Sequence, residues 1–223
     1  MTGRVNEIFA SIQGEGIYAG KKQVFVRFAG CNLECSYCDT EFSAFQEYEP
    51  ENLFSEIESL GRGFHSISFT GGEPLLQKDF LKEILPLIKQ SGQRTYLETN
   101  GTLPLALREV IDNVDIIAMD IKLPSSGNSS VGYWQAHRDF LKISADKDVF
   151  VKAVIGLSTT KEDFIRMLDL LKDMRYGGVL VLQPNSCEMD RLEEKLAMFK
   201  KGAEGYSFSA CVIAQMHKII GVR

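Results

Sequence analysis

Ser66-Ile67-Ser68-Phe69-Thr70-Gly71-Gly72-Glu73-Pro74 reads as a β-rich run that breaks into a polar, glycine-bearing turn. The period then changes: Leu81, Ile84, Leu85 and Ile88 share one face of a helix that is expected to bend or end near Pro86. Strand, tight turn and amphipathic helix make one βα unit, and the unit recurs along the chain. Further strands are expected at 5–10, 24–28, 95–98, 116–120, 150–155 and 179–183, with another near 206–213. Leu53, Ile57 and Leu60 mark one more helix, Phe164, Leu168 and Leu171 another, and Leu192, Leu196 and Phe199 a third. Such alternation implies right-handed crossovers and a parallel sheet. Roughly six units predict an α/β fold, a partial (β/α)6 TIM-like barrel, with a flat doubly wound sheet as the alternative. Both place chemistry at the carboxyl ends of the strands. The polar clusters Thr70–Pro74, Glu98–Gly101, Asp120–Lys122 and Gln183–Ser186 follow strands in this way, and together would ring one mouth.

The composition suits an ordinary globular enzyme-sized chain. Its 223 residues predict one domain over 1–223, 44% apolar content suffices for a core, and a net charge of −5 argues against a broad nucleic-acid surface. No apolar run approaches the roughly 18–20 residues needed to span a bilayer. Five cysteines, an odd number, and no apolar leader fit a reducing cytoplasm.

Three of those cysteines, Cys31, Cys35 and Cys38, lie in the run Gly-Cys-Asn-Leu-Glu-Cys-Ser-Tyr-Cys-Asp-Thr, spaced C-x3-C-x2-C. Thiolates this close can converge on one metal centre, and three rather than four leave an open position. A zinc site completed by distant His65, His137, His217 or Cys187 is an alternative, and a disulfide framework another. Thr70–Pro74 taken alone is open to a plain strand-to-helix turn; its two glycines can also expose backbone amides, and Glu73 can accept from a ligand ammonium.

The cysteine loop followed by Gly71-Gly72-Glu73-Pro74 is similar to the radical S-adenosylmethionine (SAM) superfamily. That resemblance implies a [4Fe–4S] cluster on Cys31, Cys35 and Cys38, with SAM on its unique iron as the source of a 5′-deoxyadenosyl radical. A narrower match runs through Glu7-Ile8-Phe9-Ala10-Ser11-Ile12-Gln13-Gly14-Glu15-Gly16, Phe25–Gly30, Cys38-Asp39-Thr40, Glu98–Gly101 and Gln183-Pro184. It resembles the 7-carboxy-7-deazaguanine synthases. The implied reaction converts 6-carboxy-5,6,7,8-tetrahydropterin to 7-carboxy-7-deazaguanine with loss of ammonia, assisted by Mg2+, in the queuosine and 7-deazapurine pathway. SAM is regenerated.

The resemblance also implies residue roles. An N-terminal segment, 1–30, would bind substrate and lead into the cluster loop, 31–40. Ile12, Gln13, Gly14 and Glu15 would read the pterin edge, Arg27 its carboxylate by a planar fork, and Thr70 would reach substrate. Thr40 would ligate Mg2+. Tyr37, Asp39, Gly72, Glu73, Asp120, Lys122, Ser125, Gln183 and Asn185 would hold SAM. Gln215-Met216-His217-Lys218 would bring the tail over the mouth, with His217 and Arg223 on the pterin. A homodimer and a flavodoxin or ferredoxin electron donor are the partners implied. Within the superfamily an activase that makes a glycyl radical on a partner protein is the alternative function; a zinc-stabilised binding module is the alternative from another class.

Overall fold

The structure is a computed structural model and describes residues 1–38, 44–127 and 132–221, without the side chains of His217 and Ile220. Strands β1 (Gly3–Ile12) and β2 (Lys22–Phe28) form a hairpin, followed by a short β3 (Gln46–Tyr48) and α1 (Pro50–Ser59). Then come β4 (Ser66–Gly71), α2 (Lys78–Gln90), β5 (Thr95–Thr99), α3 (Pro104–Val110), β6 (Ile116–Asp120), α4 (Trp134–Ile143), β7 (Asp148–Ile155), α5 (Lys161–Asp173), β8 (Val179–Pro184), α6 (Glu193–Gly205), β9 (Ser209–Val212) and α7 (Met216–Ile220).

Pairing order decides the architecture. The sheet runs β3-β1-β2-β4-β5-β6-β7-β8-β9, and every neighbour pair from β2 onward is parallel. The order of the parallel strands never reverses, so each crossover advances the sheet by one strand in the same sense. A doubly wound sheet needs a reversal; the partial (β/α)6 barrel does not. Hairpin β1–β2 and β3 add an antiparallel edge.

Period-two alternation sorts the strand residues. Leu97, Ile117, Met119, Val151, Leu180 and Leu182 join the large core that packs the helices. Their neighbours Tyr96, Ile116, Ala118, Phe150 and Val181 form a smaller cluster on the opposite, inner face. Burying each large apolar side chain stabilises by about 1.5–3 kcal/mol. The hairpin turn is folded across that inner face, with Tyr18 packed at 5.9 Å from Tyr96 and 6.3 Å from Phe150. From the other end of the chain the Met216 amide donates to the Gly14 carbonyl at 2.8 Å. Strands alone leave the barrel open, and these two segments close its floor.

Two expectations need correcting. Helix α2 does not end near Pro86 but continues to Gln90. The ring removes one backbone bond, and burial of Phe80, Leu81, Ile84, Leu85 and Ile88 along one face outweighs that loss. Leu60 caps α1 at 37% exposure rather than extending its buried face. Helices α3 and α4 fall between strands, where helices are expected, but carry no assigned apolar stripe, and strand β3 is an addition to the expected elements. Helix α4 escaped because a fully buried histidine, His137, sits with Phe140 and Leu141 on its core face and interrupts the apolar pattern.

The end of β4 is pressed against the chain that enters the cysteine loop. Gly72 donates its amide to Phe28 at 3.1 Å, and Glu73 to Gly30 at 2.9 Å. A Cβ on Gly72 would lie 1.8 Å from the Gly30 carbonyl oxygen, and Gly71 holds φ of +120°. Backbone cannot yield as a side-chain tip can. Gly72→Ala is therefore expected to destabilise the fold by about 1–3 kcal/mol and to displace residues 30–31. A lowered urea midpoint together with reduced iron uptake checks this; an unchanged midpoint would show that the two segments separate freely.

Candidate active site

The four polar strand-end clusters open on one pocket at the carboxyl ends of β4, β5, β6 and β8. Cys31, Cys35, Tyr37 and Cys38 form one wall. The loop carrying them is held from outside: Ser36 donates to the Ser126 carbonyl at 3.2 Å, and Asn100 Nδ2 donates to Asn32 Oδ1 at 2.9 Å and reaches Cys31 Sγ at 4.0 Å. Burial pushes the Cys31 and Cys35 thiols up, and the Lys122 charge partly offsets this at both. Among the described residues, no three His, Cys, Asp or Glu groups stand close enough to hold a single metal ion. An iron–sulfur cluster has several metal ions and spreads its thiolates among them. The other side chains named for a zinc site lie elsewhere. His65 packs against Tyr18 in a tilted pair, ring centroids 4.9 Å apart, His137 is buried behind Asn100 with Nε2 3.1 Å from its carbonyl, and Cys187 is exposed outside the pocket. Asp39, Thr40, Arg223 and the side chain of His217 lie outside what the structure describes.

Charges of alternating sign cross the pocket. Lys122 Nζ lies 2.8 Å from Asp120 Oδ2 and 5.2 Å from the Tyr37 ring centroid. Lys152 Nζ lies 3.7 Å from the same Asp120 oxygen and pairs with Glu15. Burial works against both ammonium groups, but the surrounding anions win and hold each well above the usual lysine range. Asp120 Oδ1 and Gln183 Oε1 are buried without a partner among the described residues. Both belong to pocket-lining residues, on strands either side of β7. Buried acceptors left unmatched cost about 1–3 kcal/mol each, so this part of the pocket is suited to a ligand that brings hydroxyl or amino donors. SAM carries both.

Arg27 and Thr70 are adjacent in register at the ends of β2 and β4, and both line the pocket. Arg27 Nε donates to Glu7 Oε1 at 2.6 Å, and the guanidinium stands 5.7 Å from the Phe9 ring centroid. Among the described residues its two terminal nitrogens have no hydrogen-bond partner. Glu98 shares this side of the pocket, accepting from Thr70 at 3.2 Å, Ser68 at 3.1 Å and Gln13 Nε2 at 2.8 Å.

Several of the expected site residues lie outside the pocket lining. Ile12, Gln13 and Gly14 do not line the pocket; Gln13 is buried beneath it, where its amide holds Glu98, Gln23 and the Glu15 backbone. Glu15 does line it. Ser125 turns away, its amide bonded to Asp163 and its hydroxyl accepting from the Thr160 amide. Gly72, Asn185 and Gln183 reach the pocket, whereas Glu73 is fully buried outside it. Its carboxylate is spoken for by the Leu75 amide at 3.0 Å and by the Thr99 hydroxyl and Asn100 amide at 2.8 Å each. Sequence reasoning gave no role to Lys152, yet it lines the pocket, as does Gln215 of the expected tail segment. Lys152 had left a signal, a lone charge in the apolar run 150–155.

Burial raises the Glu73 carboxyl from 4.5 to about 7, against its three hydrogen bonds. A carboxyl raised in the folded state stabilises most below its unfolded pKa. Stability should therefore fall by about 3 kcal/mol between pH 4.5 and 7, at 1.36 kcal/mol per unit. Urea titrations of the cluster-free protein across this window should show that slope, and Glu73→Gln should flatten it whatever its absolute effect. An equal slope in both proteins would place the titration on another group.

Comparison with known proteins agrees with this site. Residues 25–193 match the family model of the radical SAM superfamily. The chain is 35% identical to the 7-carboxy-7-deazaguanine synthase of Geobacter sulfurreducens, covering 97% of this chain and 96% of that protein. It is 35% identical to the synthase of Methanothermobacter thermautotrophicus, covering 100% and 99%. The crystal structure of QueE from Escherichia coli superposes with a TM-score of 0.69 at 22% identity, over 95% of this chain and 94% of that one, a likeness of fold. Motif, site and full-length identity converge, and the chain belongs to the radical SAM superfamily and, within it, to the 7-carboxy-7-deazaguanine synthase family.

Proposed function

We propose that this enzyme contracts the ring of 6-carboxy-5,6,7,8-tetrahydropterin to give 7-carboxy-7-deazaguanine and ammonia. The observation that carries the reading is the shared pocket: an arginine with two terminal nitrogens to offer faces the same cavity as three cysteines. A planar guanidinium engaged at Nε presents its far edge, which matches a carboxylate in bidentate fashion. In this reading Cys31, Cys35 and Cys38 would hold a [4Fe–4S] cluster, and the cluster with SAM would supply the adenosyl radical when both are bound.

The chain's own residues then do the positioning. Asp120 and Gln183 accept from the hydroxyl or amino groups of SAM, and Gly72 exposes backbone beside it. Arg27 fixes the pterin carboxylate, while Thr70 and Glu98 offer a donor and an acceptor to the ring. The inner aromatic cluster and the folded hairpin turn keep water from below. Holding the reactants in one geometry and excluding solvent is the protein's main contribution when a cofactor carries the chemistry. Thr40 is proposed as a Mg2+ ligand alongside water and the substrate carboxylate. A homodimer, reduction by flavodoxin or ferredoxin, and action in the cytoplasm complete the proposal.

Anaerobic turnover with reduced cluster, SAM, Mg2+ and the carboxy-tetrahydropterin tests the reading, with the deazaguanine detected by mass. Absence of the deazaguanine, or activity that demanded a second protein as the acceptor of the radical, would overturn it.

Replacing any of Cys31, Cys35 or Cys38 with alanine should abolish cluster binding and turnover together, whereas Cys187→Ala and Cys211→Ala should leave iron content unchanged. Iron and sulfide analysis after reconstitution decides this. Arg27→Lys keeps the charge and loses the fork, and the loss of one charge-assisted bond costs about 1.5–3 kcal/mol. Pterin affinity should thus fall ~10–100-fold with SAM affinity little changed; equal pterin binding in both proteins would remove Arg27 from the substrate site.

A further inference from the structure

Lys152 is a buried cation that none of the assigned roles uses. It projects from the middle of β7 onto the inner face, with its side chain 11% exposed, and it touches two groups that belong to different parts of the pocket. One is Glu15, in the hairpin turn that makes the floor. The other is Asp120 at the end of β6, whose second oxygen, Oδ1, is buried and unmatched toward the pocket. Glu15 continues the connection by accepting from Gln215 at 2.6 Å, next to the Gly14–Met216 backbone bond. A single ammonium thus sits between the floor under the pterin and the carboxylate proposed for SAM.

We infer that Lys152 is a positioning residue that couples the two binding sites, so that occupation of the SAM site at Asp120 orders Glu15 and the floor for the pterin. The inference rests on the proposed function for the identity of the two ligands. Its physical basis is competition for one cation. In the ligand-free pocket Asp120 shares Lys152 at 3.7 Å while taking Lys122 at 2.8 Å. A donor from SAM on Oδ1 satisfies Asp120 and leaves Lys152 more fully to Glu15. Glu15, already bonded to Lys152 and Gln215, is then held more firmly against the inner face, and the floor stiffens before the pterin arrives. By linkage the pterin must strengthen SAM binding by the same factor.

Equilibrium binding on the anaerobically reconstituted protein tests this without turnover. The affinity for 6-carboxy-5,6,7,8-tetrahydropterin is measured with and without saturating SAM, in the parent, Lys152→Met and Lys152→Arg. The parent should bind the pterin about tenfold more tightly with SAM, a size usual for coupling between sites. Lys152→Met should reduce that ratio to about one, and Lys152→Arg should retain most of it. Removing Lys152 alone takes the counter-charge from the part-buried Glu15 carboxylate, so Lys152→Met can fail to fold. The double variant Glu15→Gln/Lys152→Met then carries the test, because Asp120 keeps Lys122. A parent ratio of one overturns the inference, as does a variant in which both affinities drop while the ratio persists, the mark of a merely structural lysine. Failure of the parent to bind the pterin at all, or to turn it over, counts instead against the proposed function.

Discussion

One buried carboxylate organises this site without facing it. Glu73 lies at the turn after β4 and collects donors from its own turn, Leu75, and from the end of β5, Thr99 and Asn100. That ties two neighbouring strand ends together. Asn100 in turn reaches Asn32 and Cys31, so the constraint passes into the cysteine loop. The backbone of the same turn is bonded to Phe28 and Gly30 on the other side. Three segments distant in sequence are thereby fixed around one short turn. A charge so placed costs desolvation, visible in its raised pKa, and that cost is tolerated because no neutral side chain accepts three donors in that space.

Much of the fold could be read from the chain because the parallel strands carry their own signature. Ile67 and Phe69, Leu97, Ile117 and Met119, Leu180 and Leu182 alternate with inner-face residues, and amphipathic helices follow. Those patterns arise from burial on one side of a sheet. Two elements carry no such pattern and one helix runs past its expected end, each for a physical reason. Strand β3 is three residues at an edge, two of them exposed and polar, too short to show an alternating pattern. In α4 a buried histidine replaced an apolar side chain. In α2 burial overrode a proline, which local propensity cannot reveal.

The site was legible in its parts and less so in its depth. Sequence motifs named the strand ends that meet, and the pocket gathers Cys31, Cys35, Cys38, Arg27, Thr70, Gly72, Asp120, Lys122, Gln183 and Asn185 as expected. Motifs do not say which residue of a turn points inward and which supports it. Gln13 and Glu73 lie one layer behind the surface they shape, and Ser125 faces α5. Lys152 went unremarked because a charge in an apolar strand has meaning only once its partners, Glu15 and Asp120, are known. Those partners come from a hairpin and a neighbouring strand.

The floor of the pocket has a consequence for how the molecule is made. The walls are successive βα units, each closing on the strand before it, so their contacts span few residues and can form early. The floor instead needs Glu15 to meet Gln215, a contact across 200 positions. Bringing so distant a pair together is entropically slow compared with local pairing. The barrel walls and the cysteine loop can therefore be in place while the underside is still open. The closed underside of the cavity thus depends on a contact between two ends of the chain, 200 positions apart.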